Sequence, residues 1–232
     1  MSDINILLIS TIGIAVIHTI TGPDHYIPFI ALSKSKKWSI SKTIGWTLVC
    51  GSGHVLSSVV LGLGGASIGW GIDKLTTIEN QRGSIAAWGL LIFGCLYFIW
   101  GIFNAYRNKT HKHFDADNEG NMFVYEHKHS SYAAPIKKFK VTPWVIFIIF
   151  LLGPCEPMIP LLFAPAVNHN IINLITLILI YTCFTLISMV MMVLLGYWGI
   201  AFADTKKMER YMHVLAGLTL IICGAGMLFW EW

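Results

Sequence analysis

Charge is the scarcest thing in this chain. Only 12% of its 232 residues are Asp, Glu, Lys or Arg, about half the share of a soluble domain, while 55% are hydrophobic and the mean hydropathy is +0.65. That shortage excludes an ordinary water-soluble globule and leaves no basic patch to hold nucleic acid. Basic residues are also missing ahead of the first apolar run, Ile4 to Ile20, and no small-residue cleavage pattern follows it. The run therefore reads as a first membrane span and not as a removable leader. None of the long apolar runs contains a lysine or arginine, so an acid inside one of them has no basic side chain to pair with.

What is present is a series of apolar runs. Taking about 20 apolar residues for one crossing, spans fall at 4–32, 43–70, 84–106, 143–166, 170–203 and 211–230. The expected fold class is all-α, a polytopic membrane protein with six transmembrane helices. Three parts follow: a first three-helix repeat at 1–106, a polar linker at 107–142 and a second three-helix repeat at 143–232. The basic residues set an orientation. Lys34, Lys36, Lys37 and Lys42 lie in the first loop; Arg107, Lys109, Lys112, Lys128, Lys137, Lys138 and Lys140 in the third; Lys206, Lys207 and Arg210 in the fifth. The opposite side has only Lys74 and Arg82. By the positive-inside rule both termini face away from the cytoplasm of a cell (inner) membrane, and the net charge of +4 reflects topology. Trp46, Trp70, Trp88, Trp144, Trp230 and Trp232 suit interfacial belts.

Against that apolar background one stretch stands out, His18-Thr-Ile-Thr-Gly-Pro-Asp24-His25-Tyr-Ile-Pro28. It puts an acid and two histidines inside a span, where each ionisable group costs about 2.5–3.5 kcal/mol on insertion scales, and it does so at a Gly-Pro step that must interrupt the helix. Gly22-Pro-Asp-His-Tyr-Ile-Pro28 is echoed by Gly153-Pro-Cys-Glu-Pro-Met-Ile-Pro160, with one extra residue in the second copy. Three spans per half is an odd number, so the halves are expected as inverted repeats whose broken first helices meet near the bilayer midplane. Of the twelve acids, Asp3, Asp73, Glu79, Asp115, Asp117, Glu119, Glu126, Asp204, Glu209 and Glu231 read as loop or terminal residues; only Asp24 and Glu156 fall within spans.

Their partner is then a bound cation, a histidine, a proton or water. His18, His25, His54 and Cys155 accompany them, and imidazole with carboxylate suits a transition metal, whereas an alkali or alkaline-earth site would be built from oxygens. Each residue has a plainer reading beside this one. Taken singly, His18 is as well explained by a hydrogen bond to a carbonyl as by ligation; with Asp24 and His25 following, it reads as a ligand. His54, in Cys50-Gly-Ser-Gly-His54, reads either way, and Cys155 is either a small apolar filler or a site residue beside Glu156. Cys50, Cys95, Cys183 and Cys223, with Met189, Met191 and Met192, read as packing. The linker contains His111, His113, His127 and His129; it reads first as a solvated connection poor in apolar residues, with loose metal capture as the alternative.

The run His18-Thr-Ile-Thr-Gly-Pro-Asp24-His25, with Gly53-His54 and Gly153-Pro-Cys-Glu156, resembles the nickel/cobalt permease superfamily, in particular its urease-accessory-type and nickel/cobalt-efflux-like branch. The resemblance covers most of the chain. It departs at one point: five residues, Thr19 to Pro23, separate His18 from Asp24-His25, where the better-known permeases have four. The resemblance implies ligand or translocation roles for His18, Asp24 and His25, and extends less directly to His54; Cys155 and Glu156 rest on the internal repeat as well.

The expected function is thus a transporter, not an enzyme, carrying a divalent transition-metal ion by alternating access, with no resident cofactor. Its expected partners are that ion, the bilayer and further copies of itself if it assembles; nothing in the sequence fixes direction or coupling ion. Three rivals carry specific requirements. A membrane thiol-disulfide carrier needs a cysteine after the break in each half, and the first copy offers Asp24 where the second offers Cys155. A sulfite or organic-anion exporter needs basic groups at its site, where two acids stand. An intramembrane metalloenzyme needs more clustered histidines than His18, His25 and His54.

Overall fold

The computed structural model describes residues 3–107, 111–116, 122–127, 141–163, 170–201 and 211–230. Apart from one short hairpin, every described element is helical. Helix α1 spans Asp3–Thr21, a 3₁₀ turn Pro23–His25, α2 Ile27–Ser35, α3 Ile40–Ser67 and α4 Ile72–Arg107. The hairpin pairs β1, His111–Ala116, with β2, Met122–His127. Then come α5 Val141–Leu152, α6 Met158–Leu162, α7 Ile171–Ala201 and α8 Met212–Phe229.

Local chemistry sets the helix ends. Pro23 disfavours a helical conformation for the residue before it, and Gly22 is extended at φ −92°, ψ 93°, so α1 stops there. Pro28 lies in the first turn of α2, where its missing N–H costs nothing. Ser39 caps α3 by accepting from the Lys42 N–H at 3.3 Å, as N-cap serines do. Past the end of α3, Gly69 takes φ +78° and the Trp70 N–H returns to the Gly65 carbonyl at 2.9 Å, the left-handed glycine turn that ends many helices.

Among the described residues five helices are long and apolar enough to cross a membrane, Ile4–Thr21, Ile40–Ser67, Ile72–Tyr106, Ile171–Gly199 and Met212–Phe229. Their outward faces carry large exposed apolar side chains, among them Ile9, Ile17, Leu56, Val60, Ile92, Leu96, Leu179 and Leu195, while His25, His54, Glu79, Thr47 and Thr185 are buried. Apolar outside and polar inside is the arrangement compatible with lipid as solvent. Thr11, Thr19, Thr43 and Thr47 hide their hydroxyls by bonding the carbonyl four residues back, an outlet open to threonine in a helix.

The run at 143–166 is broken at its Gly-Pro step, as expected: α5 has 12 residues, about 18 Å, and ends at Gly153-Pro154, with α6 resuming at Met158. Two expectations change. The third span begins far earlier than residue 84, because α4 continues back to Ile72 through Glu79 and Arg82. The linker is not wholly without regular structure, since β1 and β2 pair antiparallel with His111 opposite His127 and His113 opposite Tyr125. His129, Trp232 and Lys109, Lys128, Lys137, Lys138, Lys140, Lys206, Lys207 and Arg210 lie outside the described residues.

Packing follows a crossed pattern. Helix α1 lies on α7, and α5 on α3; α2 touches α7 and α8, while α6 touches α3 and α4. Helices α4 and α8 form the most extensive contact, running antiparallel with backbones touching. A Cβ on Gly94 would meet the Ile221 nitrogen at 2.8 Å, one on Gly101 the same kind of atom of Val214 at 2.8 Å, and those on Gly217 and Gly224 the backbones of Phe98 and Leu91. Small residues permit this close approach where no hydrophobic force drives helices together.

Candidate metal site

The helix breaks bring the singled-out histidines together. His18 lies on the last turn of α1, and its carbonyl accepts the Gly22 N–H at 3.0 Å; the chain then turns so that His25 ends the 3₁₀ turn three residues later. His54 comes from the middle of α3. The His25 ring stands between the other two, 4.8 Å from the His18 ring and 5.1 Å from the His54 ring, edge-on to both. His25 and His54 are each only 3% exposed.

Hydrogen bonds decide which nitrogen of two rings carries the proton. His25 Nδ1 lies 3.1 Å from the Gly22 carbonyl and 3.1 Å from Asp24 Oδ1. Both partners only accept, so Nδ1 carries the hydrogen and Nε2 has the free lone pair. His54 Nδ1 lies 3.3 Å from the Phe150 carbonyl, which imposes the same tautomer. The Nε2 atoms of His18, His25 and His54 are all buried without a hydrogen-bond partner. A buried polar atom with no partner is expensive; three on a run of adjacent rings call for something to bind. Fixing imidazole through Nδ1 on a carbonyl or carboxylate is how proteins orient histidine ligands.

Cys155, in the second break, completes the group. One ligand atom from each of His18, His54 and Cys155 lies within 4.8 Å of the others. In a tetrahedral site with bonds of about 2.1 Å the ligand atoms stand about 3.4 Å apart, so closing on an ion takes shifts on the order of an ångström. The Cys155 sulfur is fully buried and lies 3.2 Å from the Tyr181 hydroxyl. A cavity of about 20 Å³ bordered by Asp24, His54, Phe150 and Gly153 adjoins the cluster, about the room one water takes up.

Both Gly-Pro glycines leave room for this geometry, Gly22 more strictly than Gly153. A Cβ on Gly22 would stand 2.6 Å from His25 Nδ1 and 2.9 Å from Asp24 Oδ1, and one on Gly153 would stand 3.1 Å from His54 Nδ1.

Of the six residues singled out by sequence, the structure gathers His18, Asp24, His25, His54 and Cys155, Asp24 through its contact with His25. Glu156 is not gathered: it is exposed, because the chain turns at Cys155 and sends the next side chain outward. Cys50 and Met189 are buried in the apolar core. Sequence reasoning missed Glu79. Read as a loop residue, it lies inside α4 at 1% exposure, with Arg82 Nη1 donating to its Oε2 at 2.9 Å. The available signal was the Glu79-x-x-Arg82 spacing, which places the two on one helix face.

Comparison with protein-family models, with curated proteins and with solved structures finds no match.

Proposed function

We propose that this protein is a membrane transporter, permease or exporter, for a divalent transition-metal ion, nickel or cobalt first, working by alternating access about the histidine cluster. One observation carries the reading: the Nε2 atoms of His18, His25 and His54 are buried without a hydrogen-bond partner, two of these rings have the tautomer a metal ligand needs, and a ligand atom from each of His18, His54 and Cys155 lies within 4.8 Å of the others. Imidazole with a carboxylate nearby suits nickel, cobalt, zinc and iron, and Cys155 adds a softer donor. The motif resemblance supports nickel and cobalt within that set. In this reading the ion is cargo: it sheds water, exchanges it for imidazole nitrogen, and leaves when the halves rock.

The crossed packing supports six crossings in two inverted three-helix halves. Exchanging α1, α2, α3 and α4 for α5, α6, α7 and α8 turns α1 on α7 into α5 on α3, α2 on α8 into α6 on α4, and α2 on α7 into α6 on α3, while α4 on α5 has no counterpart of like extent between α8 and α1. Helix α5 with its break and α6 then forms the fourth crossing. The basic loops support an inner-membrane protein with both termini outside the cytoplasm.

Flux of Ni²⁺ and Co²⁺ in proteoliposomes tests the reading. Wild type should move at least one of them, and His25→Ala and Asp24→Asn should each abolish the flux. Unchanged flux in both variants, with folded protein, would sink the central-site mechanism.

A further inference from the structure

A second group of buried polar atoms lies one helical turn from the histidines, and the mechanism above makes no use of it. Glu79 is 1% exposed and Ser58 fully buried, and Glu79 Oε1 and Ser58 Oγ have nothing but each other to turn to. Ser58 follows His54 by four residues, so the two share a face of α3 about 6 Å apart along its axis. The Ser58 hydroxyl lies beside the Glu79 carboxyl, and that carboxyl is within electrostatic reach of Cys155. Cys155 therefore lies beside His18 and His54 and within the field of the carboxylate.

Arg82 occupies the other half of that carboxylate. Its Nη1 donates to Glu79 Oε2 at 2.9 Å, and its Nη2 donates to Ser57 Oγ at 2.7 Å and to the Leu151 carbonyl at 2.8 Å. Leu151 is in the last turn of α5, where carbonyls have no helical partner and carry the negative end of the dipole. One guanidinium thus ties α4 and α3 to the end of α5, two residues before the Gly153-Pro154 break.

We infer that Glu79 and Ser58 form a second cation station, next to the histidine cluster on its α3–α4 turn side, with Arg82 as the tethered cation that closes it. The inference rests on the metal-transport reading, and the station takes the same class of ion. Carboxylate and hydroxyl oxygens are harder donors than imidazole and hold nickel or cobalt less tightly, as a stop on a path must. A divalent ion and the guanidinium compete for Glu79, since like charges repel across a carboxylate. When the ion wins, Arg82 releases Leu151 together with Glu79, and the end of α5 is freed beside the break that positions Cys155. Occupancy of the station is in this way coupled to movement of the broken helix.

Equilibrium binding of Co²⁺ to the purified full chain, run beside Co²⁺ flux in proteoliposomes, tests this with wild type, Glu79→Gln, Arg82→Gln and the double variant. Wild type should bind one ion tightly. Glu79→Gln should keep that binding within about threefold while flux falls by about tenfold or more. Arg82→Gln should bind a second ion, and adding Glu79→Gln should remove it. Normal flux in Glu79→Gln, or a single ion in a folded Arg82→Gln, overturns the station. Should Arg82→Gln fail to fold, Glu79→Gln decides alone, because glutamine keeps both the size and an acceptor oxygen for Arg82. A wild type that binds no ion removes the transport reading and the station together; a wild type that binds one ion, with a Glu79→Gln variant that transports normally, removes only the station.

Discussion

At Gly22-Pro23 the chain folds back on itself. The Gly22 carbonyl accepts both the His25 backbone N–H and its Nδ1–H, Asp24 bonds the same ring, and the Tyr26 hydroxyl reaches back to the Ile20 carbonyl. At Gly153-Pro154 carbonyls at the end of α5 also take side chains from other helices: the Phe150 carbonyl, which accepts the local Gly153 N–H, meets His54 of α3 as well, and the Leu151 carbonyl accepts from Arg82 of α4. The first break supplies ligands and satisfies itself locally. The second supplies one sulfur and holds in place what others bring. The same dipeptide interrupts both helices for the same reason, a missing N–H; what differs is who takes the carbonyls left over.

Substitutions should separate the two breaks, and the largest effect belongs to the first. His25→Ala removes the ring that touches both other imidazoles, and Co²⁺ affinity by equilibrium dialysis should fall by more than the roughly 10–100-fold typical of losing a mere supporting contact. Next comes Gly22→Ala against Gly153→Ala. The new methyl at 22 stands closer to a histidine than the one at 153, 2.6 against 3.1 Å. The first should cost about 100-fold in affinity and the second about tenfold; equal losses would mean that the breaks play equal parts.

A smaller effect is expected at Cys155. Cys155→Ser exchanges a soft donor for a hard one, so Co²⁺ affinity should fall by about three- to tenfold, Cd²⁺ affinity should fall further, and the sulfur-to-cobalt absorption in the near ultraviolet should vanish. Smallest of all is Glu156→Gln, which should leave Co²⁺ affinity and flux within about twofold, as for a surface substitution away from the site. A large loss there would restore Glu156 to the site from which its exposure removes it.

Much of the first break was legible because its ligands are local. His18, Asp24 and His25 lie within two helical turns of sequence, and ionisable side chains gathered at a Gly-Pro step inside an apolar run are too costly to be idle. His54 could be only an open candidate, since a single histidine says nothing of the Phe150 carbonyl, 96 residues away, that fixes its tautomer. Cys155 and Glu156 are adjacent and read alike, yet one is buried and the other exposed; which side chain turns inward depends on the path of the chain past Pro154, not on residue type. Glu79 was misread because Asp73, Asn80, Gln81 and Arg82 around it give a loop-like composition, while the helix runs on past its apolar stretch and turns Glu79 toward α3. The pairing of 111–116 with 122–127 was hidden by a polar composition that suits a solvated linker equally well.

The most direct test of the shared histidine cluster is X-ray absorption at the nickel or cobalt edge of the loaded, purified protein. Two or three imidazoles at about 2.0–2.1 Å and a sulfur at about 2.3 Å are expected, with the imidazole count falling by one in His25→Ala. A shell of oxygen alone, unchanged by His25→Ala, would contradict the shared cluster.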